Sequence, residues 1–567
     1  MTKRKKTFLI GLGMFALLSV IAVLMAASLL AKRFEPYIRE QAILYLHNRF
    51  DSDVELAALR VRMPKTSPLR LLMTRGRGAV ARVEAEGLLL RHKGRRDVPP
   101  MFAMKGFSFE VDLGTLFDTP KIVRLVTIDG MQINIPPKGQ RPNLGGSTPR
   151  NERTQTQDGS SRPGVIIQEV LLTNSTLAIL PAEEKKVPLQ FDLHRVRLES
   201  VGVGVPMKYD AELTNAKPPG EIVSQGNFGP WVGSEPGATT LDGKYVFDKA
   251  DLGVFSGIAG ILHSEGQFTG SLDSISVRGQ ASVPDFRLTM AGNPVPLSTR
   301  FEVLVDGTNG NTILRPVVGT LGKTTFTTSG GIIKHERDAA RTVSLDVSMP
   351  KGNLQDLLRL AMKGPSFMEG VISLKTKIDI PPLTGRVREK LLLDGEFQLS
   401  QGRFLRSSIQ DQIDMLSRRG QGQPKNEDID EVVHEMRGAF RLNNEMMTFK
   451  SLSFAVPGAA VDLAGGYDLY ADVLDFHGTL KLQAKVSQTM TGWKRVALKP
   501  VDPFFSKQGA GTFLRIKVVG TASEPKFGLD RGKKPQEEKK TEQESAVDSR
   551  RQEKNNGNET GRHRVAQ

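Results

Sequence analysis

The chain has 567 residues, no cysteine, 56 Gly, 32 Pro, 39% hydrophobic and 6% aromatic residues, and a net charge of +16. The absence of thiols excludes disulfide staples, cysteine-ligated zinc and a cysteine nucleophile, and suits an oxidising exported compartment. Few aromatics and many turn-formers exclude one thick globular core and point to many strands around a thin apolar layer.

Residues Phe8 to Ala31 form an uncharged apolar run, introduced by Lys3-Arg4-Lys5-Lys6 and closed by Lys32-Arg33. As a helix the run would be roughly 36 Å long, enough for a hydrocarbon core of about 30 Å. Signal-peptide apolar regions are shorter, about 7–15 residues, so a retained anchor is expected. The basic flank places the N-terminus in the cytoplasm and the bulk of the chain across the membrane. Phe34 to Phe50 then reads as a helix, with Phe34, Ile38, Ala42 and Tyr45 on one face.

From Val54 the period changes from helical to alternating. Runs such as Leu59/Val61/Met63, Phe286/Leu288/Met290, Phe301/Val303/Val305, Val343/Leu345/Val347/Met349, Phe397/Leu399, Phe454/Val456 and Leu514/Ile516/Val518 predict half-buried strands. Asp129-Gly130, Asp242-Gly243, Asp306-Gly307, Asn309-Gly310 and Asp394-Gly395 are read as turns. Close spacing without intervening helices predicts antiparallel meanders. Segment 137–164 is read as a flexible linker, Asn353 to Lys363 as a short helix capped by Asn353, and 407–436 as a helical insert with helices at Ser407–Arg419 and Glu427–Met436. Segment 530–567 is a charged tail with almost nothing to bury. The expected parts are therefore an anchor (1–33), a first helix and strands (34–136), the linker, a middle sheet region (165–350), a C-terminal β region (351–529) and the tail. A weak repeat relates Val123-x-x-Val126-x-Ile128 through Ile133-x-Ile135-Pro136 to Ile167-x-x-Val170-x-Leu172 through Leu177-x-Ile179-x-Pro181.

No G-x-S-x-G or H-E-x-x-H motif is present, and the eight histidines show no metal-ligand spacing. No enzyme activity, cofactor or metal is expected. The basic residues between Arg60 and Arg96 are not interleaved with stacking aromatics, so nucleic acid is not an expected partner. Two readings remain for that cluster. In one, Arg60, Arg62, Arg75 and Arg77 meet anionic headgroups at about 1 kcal/mol each; in the other they are a solvated strand face.

In the C-terminal half, three stretches carry a resemblance. The first is Gly395-Glu-Phe397-x-Leu399, followed by Ile409-Gln-x-x-Ile413-x-x-Leu416-Ser417-x-Arg419-Gly420. The second runs from Phe449 through Phe454-x-Val456-Pro457-Gly458-Ala459 to Gly465-x-Tyr467-Asp468-Leu469, and the third includes Lys499-Pro500-Val501-Asp502-Pro503-Phe504. This pattern resembles the AsmA-like family of bacterial inner-membrane proteins, and the anchor and first strands resemble its amino terminus. The resemblance implies membership of the bridge-like lipid-transfer superfamily: an anchored periplasmic protein with a bent β-sheet groove, apolar inside, working in outer-membrane assembly or envelope lipid homeostasis.

The expected fold is thus mainly β, an elongated curled antiparallel sheet with few helices; a closed β-sandwich is the alternative. A solitary sheet of alternating strands leaves an apolar face that suits phospholipid acyl chains. Groove candidates are Phe286, Leu288, Met290, Phe301, Val303, Val305, Leu345, Val347, Phe397, Leu399, Phe454 and Val456. The functional alternative is a membrane-tethered scaffold or assembly factor acting through contacts with other envelope proteins.

Overall fold

The computed structural model describes the chain from residue 36 to residue 530, with breaks of which the longest are 63–72, 115–120, 137–164 and 503–510. The expected anchor, the linker 137–164 and the tail from residue 531 lie outside the described residues. Among the described residues no helix is long and apolar enough to cross a membrane. Those described between 36 and 47 are helical, in accord with the amphipathic pattern there.

The first strands are β1 (Ser52–Arg62), β2 (Val80–His92), β3 (Phe102–Asp112), β4 (Lys121–Ile135), β5 (Val165–Ile179), β6 (Leu189–Gly202), β7 (Met207–Ala216) and β8 (Pro219–Phe228). Next come β9 (Thr240–Asp251), β10 (Ile258–Ala259), β11 (Ile261–Ser271), β12 (Ser274–Val283), β13 (Arg287–Leu288), β14 (Leu297–Val305), β15 (Thr312–Leu321), β16 (Thr324–Ile333) and β17 (Thr342–Asn353). Helix α1 (Leu354–Ala361), β18 (Met368–Ile380), α2 (Val387–Lys390), β19 (Leu392–Phe404), α3 (Ser407–Gly420) and β20 (His434–Asn443) follow. The chain then adds β21 (Met446–Val456), β22 (Ala459–Asp468), β23 (Val473–Leu482), α4 (Trp493–Leu498), β24 (Thr512–Gly520) and β25 (Pro525–Leu529).

Among the described residues, twenty-three of these strands belong to one sheet, and only β10 and β13 form a second. The fold is therefore mainly β, as expected. A closed sandwich, which needs two sheets face to face, is not what is found. The sheet also does not close into a barrel: among the described residues β1 pairs only with β2 and β25 only with β24. The chain divides into two compact units, Met1–Gln410 with Ala439–Glu445, and Asp411–Gly438 with Met446–Gln567.

In the larger unit each strand pairs antiparallel with the next one in the sheet, except β4 and β5, which are parallel. That pair explains the repeat. Val123 lies beside Ile167, Val126 beside Val170, Ile128 beside Leu172 and Ile135 beside Ile179, so the equivalent residues are direct neighbours. Each half is one long strand rather than a hairpin. The expected turn at Asp129-Gly130 is a left-handed irregularity inside β4 (Gly130, φ 66°), matched in β5 by Asn174 (φ 47°). Glycine and asparagine tolerate this conformation with little strain.

Asp242-Gly243 and Asp394-Gly395 also lie inside strands rather than at turns. Asp306-Gly307 and Asn309-Gly310 do form the β14–β15 turn, where Asp306 accepts two backbone hydrogen bonds: Thr308 N–H reaches its Oδ1 at 2.9 Å, and Gly310 N–H reaches its carbonyl oxygen at 2.6 Å. Helix α1 begins as its sequence suggests, with Asn353 Oδ1 accepting from Gln355 N–H at 2.9 Å. The second half of the helical insert is corrected: Glu431 to Val433 are not helical, and His434 opens β20.

The smaller unit packs α3 on its strands. Val432, Val456, Ala459 and Leu482 form a core with Ile413 and Leu416 of α3 against it. Buried Asp414 anchors the helix by accepting from Val432 N–H at 2.9 Å and Glu431 N–H at 3.1 Å, while Ser417 Oγ donates to Pro457 O at 2.8 Å.

Candidate functional site: an open apolar face

Strand pairing turns the alternation of single strands into a line across the larger unit. Reading partner to partner, Val61 meets Val83, Phe109, Val126, Val170, Leu198, Tyr209 and then Gly226. The line continues through Gly243, Phe268, Val277, Val303 and Leu314 to Gly330, Leu345, Ile378 and Leu393. Every member is apolar, a glycine or a tyrosine. At about 4.8 Å per strand the line is on the order of 75 Å long. Paired residues share a face, so the line marks one face of the sheet from β1 to β19.

The adjacent line, on the opposite face, is polar. Arg60 leads through Glu84, Ser108 and Thr127 past Leu171 to Arg197, Asp210, Gln225, Lys244, Gln267, Arg278 and Glu302. Among the described residues, positions in register on the apolar face carry no charged side chain from β6 to β19.

The apolar line is only half covered. Val83 is buried at 1% exposure, whereas Val61, Phe109, Val126, Val170, Leu198, Phe268, Val277, Val303, Leu314, Leu345, Ile378 and Leu393 are half-buried. Covered regions lie at its margins. At β1–β3, Leu56, Leu59, Val83, Ala85, Leu88 and Leu90 form a core with Ile43 and Leu46 of the first helix packed on it, and Arg39 donates to Leu56 O at 2.7 Å. Along one flank α1 packs against β13, β17 and β18.

Glycines in the middle of the face serve the rings beside them. A Cβ on Gly243 would lie 2.5 Å from Tyr209 Oη and 2.8 Å from Phe268 Cζ, and one on Gly279 would lie 3.1 Å from Phe301 Cζ. The rings therefore lie flat across neighbouring strands, covering glycine backbone and keeping the face low. Tyr209 and Tyr245 turn their hydroxyls to Ser224 (3.1 Å) and Ser264 (3.2 Å), and burial raises both phenols above their ordinary range, so they remain neutral.

The polar face is charged but balanced. Arg195 pairs with Asp210 and Glu212, Arg197 with Glu169 and Glu199, and both Arg278 and Arg315 with Glu302. Hydrogen bonds from Arg315 and Arg278 hold the Glu302 carboxyl below its ordinary range. A hollow of about 1690 Å³ spans β6 to β15 on this polar face, lined along its length by residues such as Arg197, Asp210, Lys244, Glu265, Arg278 and Glu302.

The expected groove residues divide three ways. Phe301, Val303, Val305, Leu345, Val347, Phe397 and Leu399 are in register with the apolar face, with Leu399 fully buried at 2% exposure beneath its flank. Phe286, Leu288 and Met290 do not form a strand of the long sheet: Leu288 lies on β13, paired with β10, and Phe286 and Met290 flank it outside any strand. A run that short cannot span a sheet whose strands are mostly ten residues or more. Phe454 and Val456 belong to the smaller unit, in the core under α3. Of the headgroup candidates, Arg62 is paired with Glu84 at 2.9 Å, Arg60 and Arg77 are exposed, and Arg75 lies outside the described residues.

Sequence reading missed Val126, Val170, Leu198, Tyr209, Gly226, Gly243, Phe268 and Val277. The signal that could have found them is glycine facing an aromatic within a strand, at Gly243-x-Tyr245 and Gly266-x-Phe268. Compared with known protein families, curated proteins and solved structures, the chain matches none.

Proposed function

We propose that the apolar face of the larger unit carries the acyl chains of phospholipids without catalysis, in a protein anchored in the bacterial inner membrane by Phe8–Ala31 with its bulk in the periplasm, and that it serves outer-membrane assembly or envelope lipid homeostasis. One observation carries this reading: the apolar line from Val61 to Leu393, half-buried along its length except at covered Val83. Apolar surface on this scale marks a binding surface, and each acyl methylene buried on it gains about 0.8 kcal/mol. Headgroups stay outside, because a phosphate on an uncharged apolar face would lose its water without gaining a partner. In this reading headgroups reaching round the edge strand β1 meet Arg60, exposed on the opposite face, and exposed Arg77.

Native mass spectrometry of the full chain extracted in mild detergents tests the reading. Bound species at phospholipid masses are expected. Recovery of lipid-free protein under every gentle extraction overturns it in favour of a tethered scaffold.

A further inference from the structure

The last strand leaves an edge whose geometry can be worked out from one hydrogen bond. Asp530 N–H donates to Arg515 O at 3.0 Å. In an antiparallel ladder the residues whose backbone groups face a neighbour alternate. Gly528 and Lys526 therefore turn their N–H and C=O toward β24, while Phe527 and Leu529 turn theirs outward. Among the described residues, β25 pairs with β24 alone. Phe527 and Leu529 are also 63% and 55% exposed. Phe527 ends the smaller unit's own apolar row, Phe449, Gly465, Phe476, Val518, Phe527. An edge of this kind invites another strand.

The edge is self-complementary. We infer that β25 pairs antiparallel with β25 of a second copy of this chain about a two-fold axis through Gly528. In that register Phe527 lies opposite the partner's Leu529, and all four are outward-facing, so the two pairs make four backbone hydrogen bonds. Gly528 meets the partner's Gly528 at the axis, where the pair is not hydrogen-bonded and lack of a side chain permits the close approach. On the polar face Lys526 lies opposite the partner's Asp530, and the pair occurs twice.

Asp530 is held in place for this by His477, whose Nδ1 lies 2.9 Å from its Oδ2. The apolar row then continues without interruption, from Phe527 to the partner's Leu529 and on to the partner's Ile516, the residue that pairs with Leu529. A register shifted by one residue would set outward-facing against inward-facing backbone and lose the hydrogen bonds. A shift by two would separate Lys526 from the partner's Asp530. Segment 531–567 is a poor competitor, since its only apolar residues are Ala546, Val547, Val565 and Ala566.

The chain has no cysteine, so single cysteines report the register directly. Gly528→Cys brings two thiols onto residues about 4.5 Å apart at Cα, within disulfide range. A Cβ at Gly528 meets only Lys517 Cε, at 3.9 Å, so the variant folds without strain. Lys526→Cys on the same strand sets its two thiols roughly 13 Å apart. On mild oxidation of the full chain in detergent, Gly528→Cys is expected to become a covalent dimer and Lys526→Cys to remain monomeric.

In analytical ultracentrifugation, Lys526→Glu and Asp530→Lys should each weaken dimerisation about tenfold, and the double charge swap should recover it. A monomer at every concentration, equal cross-linking at both positions, or no recovery in the double swap overturns the inference.

Discussion

Replacing Leu345 by Asp separates an open apolar face from a covered one. Leu345 stands between Gly330 and Ile378 in the long line and is half-buried. Losing about half of a leucine's burial costs roughly 1 kcal/mol. A carboxylate that still reaches water adds little, so a total destabilisation of about 1–2 kcal/mol is expected. Under a second packed layer the same carboxylate would be stripped of water, and the cost would rise to about 4 kcal/mol or more. Bound acyl chains meet that second situation. Lipid lying over residue 345 would have to desolvate the carboxylate, at several kcal/mol, so lipid recovery should fall at least tenfold. The assay pairs urea unfolding followed by circular dichroism with native mass spectrometry of the same preparation. Asp346→Ala, one residue along and on the polar face, is the control and should change neither readout much. A loss of stability above about 3 kcal/mol, or unchanged lipid occupancy, would refute the reasoning.

Two further outcomes concern packing and pH. A side chain at Gly243 has no room, because Tyr209 Oη, Gln225 O and Phe268 Cζ all lie within 2.8 Å of the added Cβ. Gly243→Val should therefore cost about 1–3 kcal/mol in urea unfolding, and Gly243→Val with Phe268→Ala should cost less than the two changes summed. His434 is 1% exposed with its ring centroid 4.8 Å from that of Phe454, and burial lowers its pKa to about 4. Its folded value lies below the unfolded one, so the unfolded chain takes up the proton first, and stability falls as pH drops from about 6.5 to 4. The contribution is roughly 3 kcal/mol, and it should disappear from the pH dependence of unfolding in His434→Gln.

The placement of the site residues shows how far local pattern reaches. The alternation in Phe301/Val303/Val305 and Leu345/Val347 marks strands that are apolar on one side, and the structure keeps both sets on one face. Phe286/Leu288/Met290 alternates equally well yet supplies only the two-residue β13, because Pro284-Asp285 and Gly292-Asn293 bracket it with turns. Phe454/Val456 alternates too, but α3 lies over it. The same alternating pattern thus arises whether a strand's apolar side is left open or packed under a helix. The Asp-Gly pairs at 242 and 394 read as turns because that dipeptide favours them, and pairing with neighbouring strands overrides the local preference.

The sequence alone determined that the chain is built from many closely spaced alternating strands, that α1 is capped by Asn353 and α3 starts near Ser407, and that no familiar catalytic motif is present. Periodicity, capping and turn chemistry act within a few residues, so they can be read without knowing the fold. Tertiary structure decided the register that aligns Val61 through Leu393 into one line, the parallel setting of β4 beside β5, the coverage of Phe454 and Val456, and the outward edge of β25. These depend on which distant segments meet. Strand pairing is chosen by the summed fit of whole faces, and a slip of one residue would turn each apolar side chain to the opposite face.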